Sequence, residues 1–264
     1  MKFLTLILCS SIGFAQQTFQ TPDAAAQALI DAAAGNNTAA LNAILGTQAK
    51  TLLTSGNPRQ DQVEREEFAS IAKNKHELQR DSMDSDRMIL NVGSEDWPFP
   101  VPIVRKNGQW HFDVAMGDQV MKARRIGADE LDAIEICSGY MGAQQQFAQQ
   151  RGMQHYAQKM EELGTLVPPG LIQAASSNPK PYHGYYFAIL TAQGPRAAGG
   201  EHEYLVKGTM LGGFGLVAWP AQYGVTGVHT FIVNQDGTVY EKDRGLTPAK
   251  VARYDPDPSW KPVY

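Results

Sequence analysis

Residues Tyr204–Gly245 read YLVKGTMLGGFGLVAWPAQYGVTGVHTFIVNQDGTVYEKDRG, and this stretch decides the fold of the second half of the chain. Its runs of β-branched and aromatic residues are predicted strands: Tyr204–Met210, Phe214–Trp219, Val228–Asn234 and Thr238–Asp243. Asp236-Gly237 predicts a type I′ hairpin turn, because that turn needs positive φ at both central residues. The turn would pair Val233 with Tyr240 and Phe231 with Lys242. We therefore expect an antiparallel meander that needs a covering layer.

The covering layer is predicted to be one long helix, from about Asp129 to Glu162. Apolar residues such as Ile134, Cys137 and Met141 recur there with helical spacing. Gly152 marks a break in the pattern. The expected fold class is α+β: N-terminal helices with a small antiparallel sheet, then a long helix packed on a four-stranded antiparallel meander.

The first half of the chain begins with helix signals. Thr21-Pro22-Asp23 combines an N-cap, a proline at the first helical position and an acid in the first turn. Asp61 and Glu64 resemble a capping box for a helix through about Asn74. The residues expected to face inward on that helix are Val63, Phe68 and Ile71.

Strands follow these helices. Arg87–Val92 alternates apolar and polar residues, and a hairpin is predicted around Asn107-Gly108. That hairpin would pair Arg105 with Trp110 and Ile103 with Phe112. The predicted domains are a signal peptide at residues 1–15, an α+β domain at residues 16–118 and a helix-plus-meander domain at residues 119–264.

The first residues have the pattern of a secretory signal peptide. Lys2 precedes the largely apolar run Phe3–Phe14, and small residues at Gly13 and Ala15 predict cleavage before Gln16. The run is too short to span a bilayer. The protein is therefore expected in the periplasm or outside the cell. Two alternatives stay open: a lipid anchor through Cys9, and a buried N-terminal strand or helix.

Composition narrows the class of partner. The formal net charge of the 264 residues is −4, and no long basic run is present, which argues against nucleic acid. No run in the mature chain is long and apolar enough for a transmembrane segment. Cleavage would leave Cys137 as the single cysteine, which excludes an intramolecular disulfide. Its apolar helical neighbours predict a buried and unreactive thiol.

No motif predicts catalytic, cofactor-binding or metal-binding residues. Glu201-His202-Glu203 lacks the second histidine of a helical zinc motif. The glycine runs at residues 194–200 and 208–215 lack the Lys-Ser/Thr ending of a phosphate-binding loop. No Gly-x-Ser-x-Gly nucleophile elbow is present. The prediction is therefore no cofactor, no metal and no catalytic residue.

Aromatic, histidine and arginine residues remain as candidates for contact with a ligand or between the two halves. Each has a structural alternative: core packing for the aromatic residues, an exposed face for His111 and Asp113, and capping or pairing for the arginines. The candidate contact residues are Trp97, Phe99, His111, Asp113, Arg124, Arg125, Trp219 and Tyr223.

Resemblance to known families extends this interpretation. The GYYFAIL run, AWPAQYGVTGVHTF and VNQDGTVYEKD resemble strands of the head domain of type IV pilins and pseudopilins. The chain from about Phe19 to Trp260 resembles the domain of unknown function 2950 family of exported bacterial proteins. The stretches that carry this second resemblance are WPFPVPIV, WHFD, RRIGADELDAI, GYYFAILTAQGPRAAGG and GFGLVAWPAQYGVTGVHTFIVNQDGTVYEKDRG. The resemblance implies fold and export but no activity.

Two functional hypotheses follow. The first is a non-catalytic protein of the cell envelope that binds or scaffolds an envelope protein or a glycan. The alternative is an envelope hydrolase whose site lies at the junction of the two halves. A pocket with convergent histidine and carboxylate groups would favour the enzyme.

Overall fold

The structure is a computed structural model that describes residues 16–49, 53–54, 56–152, 155–246 and 251–263. The expected signal peptide, with Cys9, lies outside the described residues. The chain divides into two compact units, Met1–Met121 and Lys122–Tyr264. Within the described residues, no helix has both the length and the apolar composition that crossing a bilayer requires.

The first unit begins with helices. Their bounds are α1 Pro22–Ala34, α2 Thr38–Leu45 and α3 Pro58–Asn74, with a short 3-10 helix at Thr47–Ala49. The predicted start of α1 is confirmed: the Thr21 side chain accepts a hydrogen bond from the Ala24 amide at 3.1 Å. The cap of α3 is Asn57, whose side chain accepts from the Gln60 amide, and not the expected Asp61.

An antiparallel sheet completes the first unit. Its strands are β1 His76–Arg80, β2 Arg87–Val92, β3 Trp97–Pro98, β4 Ile103–Lys106 and β5 Gln109–Phe112. The order is β1-β2-β4-β5, and β3 also pairs with β2. The predicted register of the β4–β5 hairpin is confirmed, because Arg105 pairs with Trp110 and Ile103 with Phe112. Asn107 and Gly108 both have positive φ, as a type I′ turn requires.

Small residues build the face between α1 and α3. Ala69 and Ala72 are buried on α3, and α1 presents a buried alanine-rich face. The expectation that Val63 and Ile71 face inward is wrong, because their exposed fractions are 50% and 43%. Because both faces consist largely of alanine, the two helix backbones approach closely. The buried positions of α3 are therefore occupied by small side chains, and the larger ones lie outside the contact.

The long helix, α4, runs from Val114 to Gln150 and not from Asp129 to Glu162 as expected. Asp113 explains the earlier start: its side chain accepts from the Met116 amide at 3.0 Å, which is an N-cap. Gly117 lies within the helix and packs closely on Val101, since a Cβ there would lie 2.7 Å from Val101 Cγ2. At the other end Gly152 has a φ of 68°, which a right-handed helix does not accommodate.

The second unit contains a further antiparallel sheet after the long helix. The remaining helices are α5 Pro169–Ala174 and a 3-10 segment at Met160–Leu166. The sheet order is β14-β13-β12-β11-β6. Its strands are β6 Tyr185–Leu190, β11 Gly215–Pro220, β12 His229–Asn234, β13 Tyr240–Asp243 and β14 Lys261–Pro262. The α+β fold class is thereby confirmed, and the sheet is antiparallel as expected, but it has five strands and not four.

Short strands between β6 and β11 form separate ladders. They are β7 Ala192–Gln193, β8 His202–Glu203, β9 Leu205–Val206 and β10 Thr209–Met210. The run Tyr204–Met210 was expected in the main sheet, but it folds into the isolated β9–β10 hairpin. Lys207 and Gly208 both have positive φ, so the chain reverses inside the run.

The final hairpin has a different register from the expected one. Ile232 pairs with Tyr240 and Phe231 with Glu241, a shift of one residue. The reason is the turn: the Asn234 side chain accepts from the Asp236 amide at 3.1 Å, and only Gly237 has positive φ. This Asx turn replaces the type I′ turn and moves Tyr240 to the opposite face.

The two faces of this sheet contribute to different clusters. One face, here called the inner face, packs with residues of α4 and includes Phe187, Leu216, Phe231 and Val233. The outer face belongs to a smaller cluster that includes Val217, Ile232, Tyr254 and Trp260. Residues on the two faces alternate along each strand.

Candidate functional site

Of the two aromatic contact residues expected in the first unit, one packs in the core and the other is exposed. Phe99 lies 5.4 Å from Phe68 and 6.3 Å from Phe112 between ring centroids, so it is a packing residue. Trp97 lies 6.5 Å from Phe99 and keeps 47% of its surface exposed. Of the two, Trp97 therefore retains surface for contact with a partner.

His111 and Asp113 both line a polar pocket of about 400 Å³ in the first unit, together with Lys106. Asp113 also caps the long helix through the Met116 amide. The structure thus brings these two expected residues together, and it gives Asp113 a structural role of its own.

Arg124 and Arg125 lie in the second unit, on consecutive positions of α4. One turn further along the helix, burial raises the pKa of Asp129, and the charge of Arg125 opposes that rise. The charge of Arg125 thus stabilises the ionised form of a partly desolvated carboxylate on its own helix, which agrees with the structural alternative given for the arginines.

Trp219 and Tyr223 lie in or just after β11 and have different surroundings. The Trp219 ring lies 5.9 Å from the Tyr186 ring. The Tyr223 hydroxyl donates to the Asp243 carboxylate at 3.1 and 3.2 Å, and this hydrogen bond raises the pKa of Tyr223. Trp219 lines a cavity that Tyr223 does not line.

The cavity at Trp219 has a volume of about 440 Å³ and lies beside the edge strand β6 of the second unit. We call it the Trp219 pocket. Its wall combines apolar side chains, hydroxyl groups and one cation. The lining residues are Ala174, Ala175, Ser176, Ser177, Pro179, Phe187, Ala188, Val217, Trp219, Thr230, Arg244 and Val251. This volume lies in the range that small ligands occupy in proteins.

Arg244 gives the Trp219 pocket its electrostatic character. Burial lowers the pKa of Arg244, and no opposing carboxylate accompanies that effect. Across the described part of the chain, no carboxylate forms an ion pair with this guanidinium. Because arginine stays protonated at every ordinary pH, the pocket carries a partly desolvated positive charge that favours an anion.

The single thiol of the described residues is inaccessible to solvent. Cys137 is completely buried, as predicted, and burial raises the pKa of its thiol to about 12. A thiol with that pKa is a poor nucleophile at neutral pH. Among the residues that the structure describes, no group of three or more histidine, cysteine or carboxylate side chains is arranged to hold a metal ion.

Comparison with known proteins gives one match. The family model described as protein of unknown function (DUF2950) matches residues 16–165 and 161–263. This chain belongs to that family. A search of curated proteins and a search of solved structures gave no match.

Sequence reasoning missed most of the Trp219 pocket in this member of the family. Arg244 follows β13 directly, and Thr230 lies within β12. Neither position belongs to a recognisable motif. The signal that was available is Trp219 itself, an aromatic residue followed by Pro220 at the end of a strand.

Proposed function

We propose that this protein is exported to the cell envelope and binds an acidic glycan there, without chemical turnover, through the Trp219 pocket. The observation that carries the proposal is the pairing of Trp219 with the partly buried Arg244 in one cavity. An aromatic ring offers a flat apolar surface to the CH face of a sugar ring, and a guanidinium binds a carboxylate with two parallel hydrogen bonds.

The rest of the wall supports a sugar over a purely apolar ligand. Ser176, Ser177 and Thr230 place hydroxyl groups in the same cavity. A hydroxyl both donates and accepts hydrogen bonds, so it suits the many hydroxyl groups of a carbohydrate. Ala188 and Val217 keep the floor apolar between these groups.

The signal-peptide pattern of residues 1–15 supports export, and the family match begins at residue 16, where the mature chain is expected to start. Mass spectrometry of the protein from its own host should show a mature chain that begins at Gln16. Intact Met1 in the cytosolic fraction would reject export.

Calorimetric titration tests the glycan. The probes are a galacturonic acid trisaccharide and the same trisaccharide with its carboxyl groups methyl-esterified. The free acid should bind chain 16–264, and the ester should bind at least about tenfold more weakly, because it lacks the charge that Arg244 recognises. Equal affinity for both sugars, or no binding of either, would contradict the proposal.

Matched variants locate the binding. Trp219→Ala and Arg244→Met should each abolish or strongly weaken binding of the acid. Trp97→Ala removes an exposed tryptophan of the first unit, and Arg196→Met removes an arginine that pairs with Asp255 at 2.8 Å. Both controls should bind normally, and a loss confined to the controls would place the ligand elsewhere.

Two further points stay proposals. The layout of a long helix and an antiparallel sheet in the second unit supports a relationship to pilin heads, and a fragment from Gly117 should then fold alone. Ile134, which packs on the inner-face core, should be essential there, so that Ile134→Asp prevents folding.

An envelope hydrolase stays the alternative prediction, and turnover of the trisaccharide during titration would favour it.

A further inference from the structure

A second cavity of the second unit, here called the Asp132 pocket, has the opposite charge. Its volume is about 330 Å³. The long helix contributes Asp132, Glu135, Ile136 and Gly139, whose spacing places them along one stripe of a helix. The other wall comes from the chain around Val167 and from Tyr182 and His183.

The carboxylates outnumber the cations at this pocket. His183 Nδ1 lies 2.6 Å from Asp132 Oδ2, so one carboxylate has a hydrogen-bonding partner. Glu135 has an exposed side chain, and within the described residues it forms no ion pair. Asp129 lies one turn earlier and feels the charges of Asp132, His183 and Arg125. The three carboxylates therefore outnumber the one arginine and one histidine near them, so the local charge is negative.

The walls between these charged groups are apolar and well supported. Leu166, Val167 and Leu171 line the side that faces the helix. Tyr182 is held by close packing, because a Cβ at Gly170 would lie 2.2 Å from its ring. The pocket therefore offers a rigid aromatic and aliphatic surface beside free negative charge.

Gly139 leaves the helix side of the pocket open. A Cβ at this position would meet no atom within 4 Å, and the glycine is exposed. A larger residue here would enter free space and not the protein core. Because Gly139 lines the cavity, a side chain added there would occupy space at the edge of the cavity.

We infer that the Asp132 pocket binds a small organic ammonium ion with an apolar body. The ammonium group lies between Glu135 and Asp132, and the body contacts Leu166, Val167 and Tyr182. An ammonium ion satisfies carboxylates with up to three hydrogen bonds, and aromatic rings also attract cations. This site is separate from the Trp219 pocket and does not depend on the function proposed there.

A catalytic interpretation of the Asp132–His183 pair has less support. The pocket lining contains no serine, threonine or cysteine side chain that His183 would activate. His183 has a φ of 46°, and a Cβ at the next residue, Gly184, would lie 2.5 Å from the carboxylate of Asp129. These features fix the position of the histidine, which is what a binding wall requires.

The test uses 2-phenylethylammonium as the probe, with 2-phenylethanol and phenylacetate as neutral and anionic analogues of similar shape. Chain 16–264 should bind the ammonium ion in calorimetric titration near pH 8. The two analogues should bind at least about tenfold more weakly. Failure of the ammonium ion to bind, or equal binding of phenylacetate, would overturn the inference.

Two substitutions on the same helix locate the site. Gly139→Leu should fill the pocket and abolish binding. Gly142→Leu is the matched control, because Gly142 is also an exposed helical glycine whose added Cβ would meet no atom within 4 Å, and it does not line the pocket. Unfolding midpoints should show that both variants fold. Normal binding by Gly139→Leu, or equal loss in both variants, would overturn the assignment of the ligand to this pocket.

The free carboxylate gives a third measurement. Glu135→Gln keeps the shape of the side chain and removes its charge, so it should weaken binding of 2-phenylethylammonium by about tenfold. The same variant should leave binding of phenylethanol unchanged. An unchanged affinity for the ammonium ion would show that Glu135 does not contact it and would overturn the charge argument.

Discussion

The two faces of the sheet in the second unit differ in how their side chains pack. The inner face is closed by bulky side chains such as Phe187 and Phe231, which are almost completely buried. The outer face has a smaller buried cluster, and the cavity beside Trp219 and Arg244 lies at the edge strand β6, where it is also lined by Phe187 of the inner face. Because side chains alternate along each strand, the same strands fill the core on one face and line part of the cavity on the other.

Buried polar groups sharpen this contrast. On the inner side, the amide of Gln144 is fully satisfied: it accepts from the Ala157 amide at 2.8 Å and donates to the Ala157 carbonyl at 2.9 Å. On the outer side, the charge of Arg244 has no ion-pair partner among the described residues. The polar group of the inner side thus stabilises the fold, whereas the partly buried charge of the outer side leaves its hydrogen-bonding capacity to water or to a ligand.

The largest expected effect comes from the inner face. Phe231→Ala removes a completely buried ring that packs 5.8 Å from Tyr185, so it should lower the free energy of unfolding by about 3–5 kcal/mol. Trp219→Ala on the outer face should cost clearly less, because Trp219 is only partly buried. Urea titration measures both, and an equal or larger loss for Trp219→Ala would remove the distinction between the faces.

A smaller loss should follow from Gln144→Leu. The change leaves the amide and carbonyl of Ala157 without their partner in a buried position, which should destabilise the fold by about 2 kcal/mol. Gln145→Leu is the control, because Gln145 is exposed on the same helix and its change should stay within about 0.5 kcal/mol. Equal urea midpoints for the two variants would contradict a structural role for Gln144.

Much of the fold was predictable from local signals. The Thr21 cap and the Asn107-Gly108 turn act through neighbouring residues alone, and both were predicted correctly. The Asp236-Gly237 turn was not, because the Asn234 side chain competes for the Asp236 amide. That competition depends on a side-chain rotamer, which a dipeptide pattern does not contain.

The start of the long helix shows a second limit. Glycine weakens helices, and the long helix was expected only from Asp129. Gly117 is nevertheless helical behind the Asp113 cap. Val101, which is distant in sequence, approaches so closely that only a residue without a side chain fits there, so this glycine reflects a tertiary contact and not a break in the helix.

The candidate sites were less predictable than the fold. Trp219 was predicted as a contact residue because it is an aromatic residue at a strand end. Arg244, which lines the same cavity, follows strand β13 and is distant from Trp219 in the sequence. The Asp132 pocket likewise joins a helix to residues around Val167 and His183. A cavity is formed by side chains from several segments that do not fill the space between them, and Gly139 contributes to one without any side chain. A pattern along one segment does not contain that information.

Alkaline pH gives a third test of the inner face. The pKa of Cys137 rises from 9.0 to about 12 on folding, so the folded state keeps a proton that the unfolded state loses. The stability associated with this thiol is therefore complete below about pH 9 and declines as the pH rises towards 12. Near pH 10, the folding constant should fall about tenfold more for the wild type than for Cys137→Ala, relative to pH 7.

Urea titrations of both proteins at the two pH values measure this difference. Burial also raises the pKa values of Tyr204 and Tyr254, but the charge of Cys137 contributes to neither, so these effects are the same in both proteins and cancel. The thiol should also react slowly with alkylating reagents in the native state. Identical pH dependence of the two proteins, or rapid native labelling, would show that Cys137 is accessible to water.

The smallest expected effect on stability belongs to the outer face, and it separates a binding residue from a packing residue. Arg244→Met removes a partly buried charge that has no described ion-pair partner, so the free energy of unfolding should change by less than about 0.5 kcal/mol or rise slightly. Arg196→Met is the control, because it breaks the Asp255 pair at 2.8 Å and should cost up to about 1 kcal/mol. For binding of the acidic trisaccharide the two variants should rank the other way: Arg244→Met should no longer bind it, and Arg196→Met should bind normally. A larger stability loss for Arg244→Met than for Arg196→Met would mean that the fold already uses the Arg244 charge, and the outer face would then lose its distinction from the inner one.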